Sequence, residues 1–329
     1  MRIDIHVHVP ALPPRLGARA MKIRARWLLR LFLWHYGLSP KALSEEGSLA
    51  SFHGKMLSWI ESSGVDRTVL LALDDPHDDS GAPIGRSFLY SAGNEAVADL
   101  AGTSPRLWFG ASIHPYRRDA VRELTRLAER GACLVKWLPS AQNIDPEDRR
   151  CIPFYEAMAH LGMPLLSHTG NEHTVPAGDN RLNQPRKLLA ALARGVTVIA
   201  AHCGKRLYLH ERCSFSEWKR MALEHENFYG DLAALLSPVR IPALREIART
   251  PALCAKVVYG SDFPMVTWVT GLSFWTGSRA ARSLREVENP FDFPWKALRA
   301  LGMPEGVFSR ASRLLRPADT FSLTEGAQP

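Results

Sequence analysis

Several side chains able to hold a metal ion or move a proton recur at matching places in the chain. His6 and His8 stand two apart in Ile3-Asp4-Ile5-His6-Val7-His8-Val9. His168 closes the apolar run 164–168, His202 closes 196–202, and Asp262 follows 256–261. Residues two apart on a strand share a face, so His6 and His8 can offer two imidazoles to one ion. Zinc takes imidazole nitrogens and carboxylate oxygens, and a catalytic site leaves a position for water, so three to five such side chains are the right inventory. A His-x-His pair by itself is weak evidence; the pattern gains weight from the further ligand types at strand ends. Lys136 lies inside the run 133–138, on the face of Leu134 and Leu138. Burying a lysine in a strand is costly unless it is paired or chemically changed, the alternative being a lysine that reaches solvent or substrate.

These residues need elements that bring them to one place. Strand-like runs occur at 2–9, 68–73, 107–113, 133–138, 164–168, 196–202, 227–231 and 256–261. Most intervals carry helical patterning, as in 119–128, where apolar residues recur every three or four positions. Strands alternating with helices predict an α/β fold with a parallel sheet, and eight of them predict a (β/α)8 TIM barrel whose strand C-termini converge on one mouth. One barrel domain is expected over 1–316, with a helical insertion at 10–60 above the mouth and a flexible tail at 317–329. Within the insertion, Arg15, Arg19, Lys22, Arg24, Arg26 and Arg30 alternate with Met21, Ile23, Trp27, Leu28, Leu31, Phe32 and Trp34. That pattern reads as a basic amphipathic helix, a cap or subunit contact ahead of a substrate gate or a membrane-surface element. The stretch 267–277 reads as a loop over the site, followed by C-terminal helices at 295–301 and 304–315.

Composition sets outer bounds. The 329 residues are 46% hydrophobic, enough for a large core, and the formal charge of +8 would favour an anionic substrate. The five cysteines, Cys133, Cys151, Cys203, Cys213 and Cys254, are scattered and odd in number, which points to reduced thiols. The N-terminus runs directly into a short strand in place of a signal peptide, and no stretch reaches the roughly 20 apolar residues of a membrane helix. A cytoplasmic protein is expected.

Five motifs in order, Ile5-His6-Val7-His8, Val135-Lys136-Trp137-Leu138-Pro139, Ser167-His168-Thr169-Gly170, Ala201-His202-Cys203-Gly204 and Tyr259-Gly260-Ser261-Asp262-Phe263-Pro264, resemble the amidohydrolase superfamily. They look most like its amidohydrolase-related branch, which holds aminocarboxymuconate semialdehyde decarboxylase and related decarboxylases beside hydrolases. The resemblance covers residue 3 to about 264. It implies one divalent ion, zinc by expectation, on His6, His8, His168 and Asp262, with His202 acting on substrate or proton. In members with two ions, a carbamylated lysine matching Lys136 bridges them, and His168 and His202 serve the second.

The activity expected is hydrolysis of a small amide, lactone or ester by metal-activated water, with Asp262 moving the proton and His202 steadying the carbonyl oxygen. The alternative within the same site is a non-oxidative decarboxylase or hydratase of a small carboxylic acid. His114, Asn171, Glu172, His173 and Arg181 are candidates for reading the substrate. TatD-like nucleases share much of the ligand order but carry a glutamate where Lys136 stands, so nucleic acid is not the expected substrate. A barrel kept only as a scaffold would have no use for the metal inventory. A homo-oligomer is the expected assembly.

Overall fold

In the computed structural model, the structure describes residues 1–10, 46–84, 91–173, 175, 177–265 and 272–315. Eight parallel strands lie in sequence order: β1 Ile3–His8, β2 Arg67–Leu71, β3 Leu107–Ala111, β4 Ala132–Trp137, β5 Leu165–His168, β6 Val198–Ala201, β7 Phe228–Asp231 and β8 Val257–Val258. All eight expected strands are present, most shorter at their C-terminal ends than the apolar runs suggest. The seam between β8 and β1 is closed by the segment after β8. Ile5 N donates to Tyr259 O at 3.2 Å, His8 N to Phe263 O at 2.8 Å, and Asp262 N to His6 O at 2.9 Å. A nearly closed (β/α)8 barrel results.

Helices cover the barrel with the faces their spacing dictates. Ala120–Glu129 buries Ala120, Leu124, Leu127 and Ala128 against the strands, while Arg122 and Arg126 stay toward solvent. Ile241–Arg249 does the same with Ile241, Leu244 and Ile247. Glu46–Ser62 connects β1 to β2, and the rest of the expected basic insertion, from 11 to 45, lies outside the described residues. Of the stretch read as a loop at 267–277, Leu272–Thr276 is a short helix with Leu272 buried, and 266–271 lies outside the described residues. Asp292–Ala300 is the first of the C-terminal helices, and the second expected one is split into Gly306–Ser309 and Ala311–Leu314. No described helix is long and apolar enough to cross a membrane.

Two irregularities in the ladders decide what faces the barrel axis. Asp4 pairs with Thr68 but Val7 pairs with Leu70, so β1 carries one extra residue. Ile3 and Ile5 therefore belong to the interior cluster with Val69, Leu71, Leu134, Leu166 and Ile199, while Val7 packs outward under the helices. Since a one-residue slip flips every later side chain, the bulge turns His6 and His8 inward above Ile5. β4 does likewise: Phe109 pairs with Ala132 and Gly110 with Leu134, so Cys133 and Leu134 both lie in the interior cluster and Lys136 follows on that face. Ala311 and Leu315 join the same cluster near Ile3 and close the end of the barrel opposite the histidines.

Packing leaves little room around β7. A methyl group on Gly230 would come within 2.6 Å of Cys203 Sγ and 2.7 Å of the buried Trp218 ring. Gly230→Ala is expected to lower stability by about 1–3 kcal/mol, the usual cost of overpacking a tight core. Chemical denaturation should read this as a lower midpoint at unchanged slope.

Candidate metal centre

The site is assembled at the C-terminal ends of the strands. His6 is fully buried, and its Nδ1 lies 2.7 Å from Asp231 Oδ2, at the end of β7. A carboxylate accepts there, so Nδ1 carries the proton and Nε2 bears the lone pair that a metal needs. Around that Nε2 stand Lys136 Nζ at 3.1 Å, His8 Nε2 at 3.2 Å and Asp262 Oδ1 at 3.3 Å. His8 Nε2 is also 3.6 Å from Asp262 Oδ1. A methyl on Gly260 would meet His6 Cβ at 2.8 Å, so glycine is required where this backbone passes the imidazole.

His202 arrives differently from expectation. β6 ends at Ala201, and His202, Cys203 and Gly204 form a turn with φ of +62°, +50° and +65°. Left-handed backbone is unfavourable for non-glycine residues and persists only where the surroundings hold it. Here Asp231 Oδ1 accepts from His202 N at 2.8 Å, and Cys203 Sγ donates to Asp231 O at 3.1 Å. Asp262, at φ +65°, is a second such position. His202 Nδ1 donates to Ala233 O at 3.0 Å, which again leaves Nε2 with the lone pair. Cys203 is a packing residue, buried in the layer between the strands and the helices.

His168 stands at the end of β5 with its ring centroid 4.8 Å from that of His202. Its Nδ1 is 3.5 Å from Glu172 Oε2, and its Nε2 is buried with no hydrogen-bond partner among the described residues. His6, His202 and Asp262 each offer a ligand atom within 4.8 Å of the other two.

The electrostatics suit a cation. Burial, together with the positive charge of Lys136, pushes the pKa of His6 well below its ordinary value, and burial with neighbouring His168 and Arg240 does the same to His202. Burial also lowers His168. Burial works to raise Asp262, but His6, His8 and Lys136 outweigh it and hold the carboxyl below its usual range. Burial lifts Asp231 to about 6 and draws Lys136 down to about 8. Neutral imidazoles beside an ionised carboxylate are the protonation states that ligation requires.

The donor set can be tested against the group it would hold. Ligands at about 2.0–2.1 Å from a tetrahedral zinc ion sit about 3.3–3.4 Å from one another. The separations from His6 Nε2 to His8 Nε2 and to Asp262 Oδ1, 3.2 and 3.3 Å, match that spacing. Two imidazole nitrogens with lone pairs facing each other repel unless a cation or proton lies between them. The orphaned Nε2 of His168 is a further vacant donor aimed into protein. The residues fit a divalent metal ion.

The other expected residues divide. Glu172 is buried beside His168, Asn171 bonds Glu211, and His173 pairs with Glu211 under the Tyr208 ring. His114 is kept apart: its Nδ1 accepts from Tyr116 N at 3.2 Å and its Nε2 donates to Gln142 O at 2.8 Å, so both nitrogens are used within the protein. Burial drives its pKa to about 3. Arg181 is also apart, 82% exposed and bound to neighbouring Asp179. Asp231, Glu211 and Arg240 were missed in the sequence. Asp231 had a signal, an acid ending a strand as His168 does, whereas Arg240 and Glu211 sit in loops whose path no spacing rule gives.

Comparison with known proteins agrees with this architecture. A family model described as amidohydrolase matches residues 3–300. Among solved structures, an uncharacterised TIM-barrel protein from Bordetella bronchiseptica is 18% identical with a TM-score of 0.58, covering 95% of this chain and 97% of its own. A protein assigned as a 2-pyrone-4,6-dicarboxylic acid hydrolase from Pseudomonas putida is 16% identical with a TM-score of 0.55, over 95% and 96%. The 5-carboxyvanillate decarboxylase of Sphingomonas paucimobilis is 14% identical with a TM-score of 0.52, over 96% and 99%. At these identities the likeness is one of fold. No curated protein matches the sequence. With the family model spanning nearly the whole chain, this protein belongs to the amidohydrolase family.

Proposed function

We propose that the protein is a metal-dependent hydrolase acting on a small amide, lactone or ester. The observation that carries this reading is the cluster of imidazole nitrogens and one ionised carboxylate around the lone pair of His6 Nε2. The proposed ligands are His6, His8, His168 and Asp262, with His202 close enough to join them. A bound divalent ion, zinc by its preference for these donors, supplies Lewis acidity and brings the pKa of a water near 7.

The chain's own residues supply the rest. Asp262 Oδ takes the proton from the attacking water and returns it to the leaving group, a role suited to a carboxylate held ionised beside the histidines. His202, with Nδ1 donating to Ala233 O, presents the Nε2 lone pair, which would orient the attacking water by accepting one of its hydrogens while Asp262 takes the other. Asp231 steadies both through one carboxylate, with Oδ2 on His6 and Oδ1 on the His202 backbone. Lys136 either remains an amine beside His6 or, as a carbamate, bridges two ions. A small-molecule decarboxylase or hydratase is the second reading, since a decarboxylase is among the proteins that share this fold.

Asp262→Asn, which keeps size but removes the proton acceptor, is expected to cut turnover of a lactone and ester panel by at least about a hundredfold while the barrel stays folded. Turnover at the native rate would remove Asp262 from the mechanism. Lys136→Ala should leave one ion per chain by elemental analysis if the centre is mononuclear, and should halve the metal content of a bridged pair. Release of carbon dioxide from carboxylated aromatic acids, with no hydrolysis of the panel, would replace the first reading by the second.

A further inference from the structure

A cation the proposed mechanism does not use stands beside the site. Arg240 immediately precedes the helix Ile241–Arg249 and is only 4% exposed. Its guanidinium is fixed from two sides: Nε donates to Arg206 O at 3.1 Å, and Nη1 donates to Ala234 O at 3.4 Å. Both anchors lie on the loops that make the site. Arg206 lies two residues past the His202–Gly204 turn, and Ala234, at φ +53°, follows the Ala233 whose carbonyl orients His202. Among the described residues no carboxylate forms an ion pair with Arg240, and its Nη2 has no protein acceptor. Its charge is nevertheless felt across the site, lowering the pKa of His168 and His202, while Asp262, Glu211, Asp231 and Glu172 favour its charged form.

Bracing two loops through backbone carbonyls needs only N–H donors, not a buried charge. Taking a guanidinium out of water without a hydrogen-bonded counter-ion costs several kcal/mol, so a nearby anion is the natural complement. A planar fork of donors matches a carboxylate. We propose that Arg240 is a specificity-determining residue that binds a carboxylate of the substrate, so that the compound turned over is a small carboxylic acid whose reacting group lies over the histidine cluster. The assignment rests on the proposed metal-dependent site for its reaction but not for its binding.

The test is calorimetric titration of isophthalate and of its neutral analogue isophthalamide into metal-loaded and chelator-stripped protein, native and Arg240→Gln. Native protein is expected to bind the acid in preference to the amide in both forms. Arg240→Gln should weaken isophthalate by at least about tenfold, as loss of one partner of a buried charge pair does, with metal content unchanged and the amide unaffected. Arg240→Lys, which keeps the charge but loses the fork, should fall between them, and it decides the matter if the glutamine variant does not fold. Equal affinity for acid and amide in native protein, or native-like binding of isophthalate by either variant, would overturn the proposal. Arg240-dependent binding in the stripped protein, with no metal-dependent turnover, would leave this inference standing and defeat the proposed function. Metal-dependent turnover of the lactone and ester panel, with isophthalate bound equally well by native protein and by Arg240→Gln, would do the reverse.

Discussion

Everything at the mouth of this barrel depends on Asp231. One buried carboxylate accepts from His6 Nδ1 at 2.7 Å with one oxygen and from the backbone of His202 at 2.8 Å with the other. The first contact fixes the tautomer that leaves His6 Nε2 as a donor to a metal; the second holds His202 in left-handed backbone that it would not otherwise adopt. Ala233 N also bonds the same carboxylate at 3.1 Å, and Ala233 O then orients His202. Asp4 plays a parallel part at the seam. It accepts from His6 N and Ser261 N, ties the bulge of β1 to the segment carrying Asp262, and is lifted by burial to about 7.

Much of the barrel could be read from the chain because parallel strands buried on both faces leave continuous apolar runs, and the intervening helices leave a repeat of three to four. That His6, His8, His168, His202 and Asp262 lie at one end of the barrel follows from that architecture, since every strand C-terminus meets at one mouth. What the pattern cannot carry is strand parity. Ile3 and Ile5 point into the barrel, and simple alternation from them would send His6 and His8 outward; only the extra residue in β1 turns them in. The same holds for Lys136 after Cys133 and Leu134. A bulge leaves no mark in residue types, so these placements had to come from the ladder itself.

Loop residues were harder still. His114 lies three residues past the end of β3, whereas His168 is the last residue of β5, and His114 turns to Gln142 and Tyr116 and spends both nitrogens there. Arg181 is a basic residue in the right stretch of chain but serves a local turn with Asp179. Arg240 and Glu211 reach the neighbourhood of the site from the loops after β7 and β6, where a position in sequence says little about a position in space. In a fold that hosts many chemistries, these loops rather than the strand ends carry the choice of substrate.

Asp231 is placed to prepare His6 for ligation of a divalent ion. The most direct measurement is zinc affinity by competition with a chromophoric chelator, on native protein and on Asp231→Asn. Zinc is expected to bind the native chain tightly and the variant about 10- to 100-fold more weakly, the usual effect of losing the partner that orients a ligating histidine. Zinc bound equally well by both, or by neither, would contradict that role of Asp231.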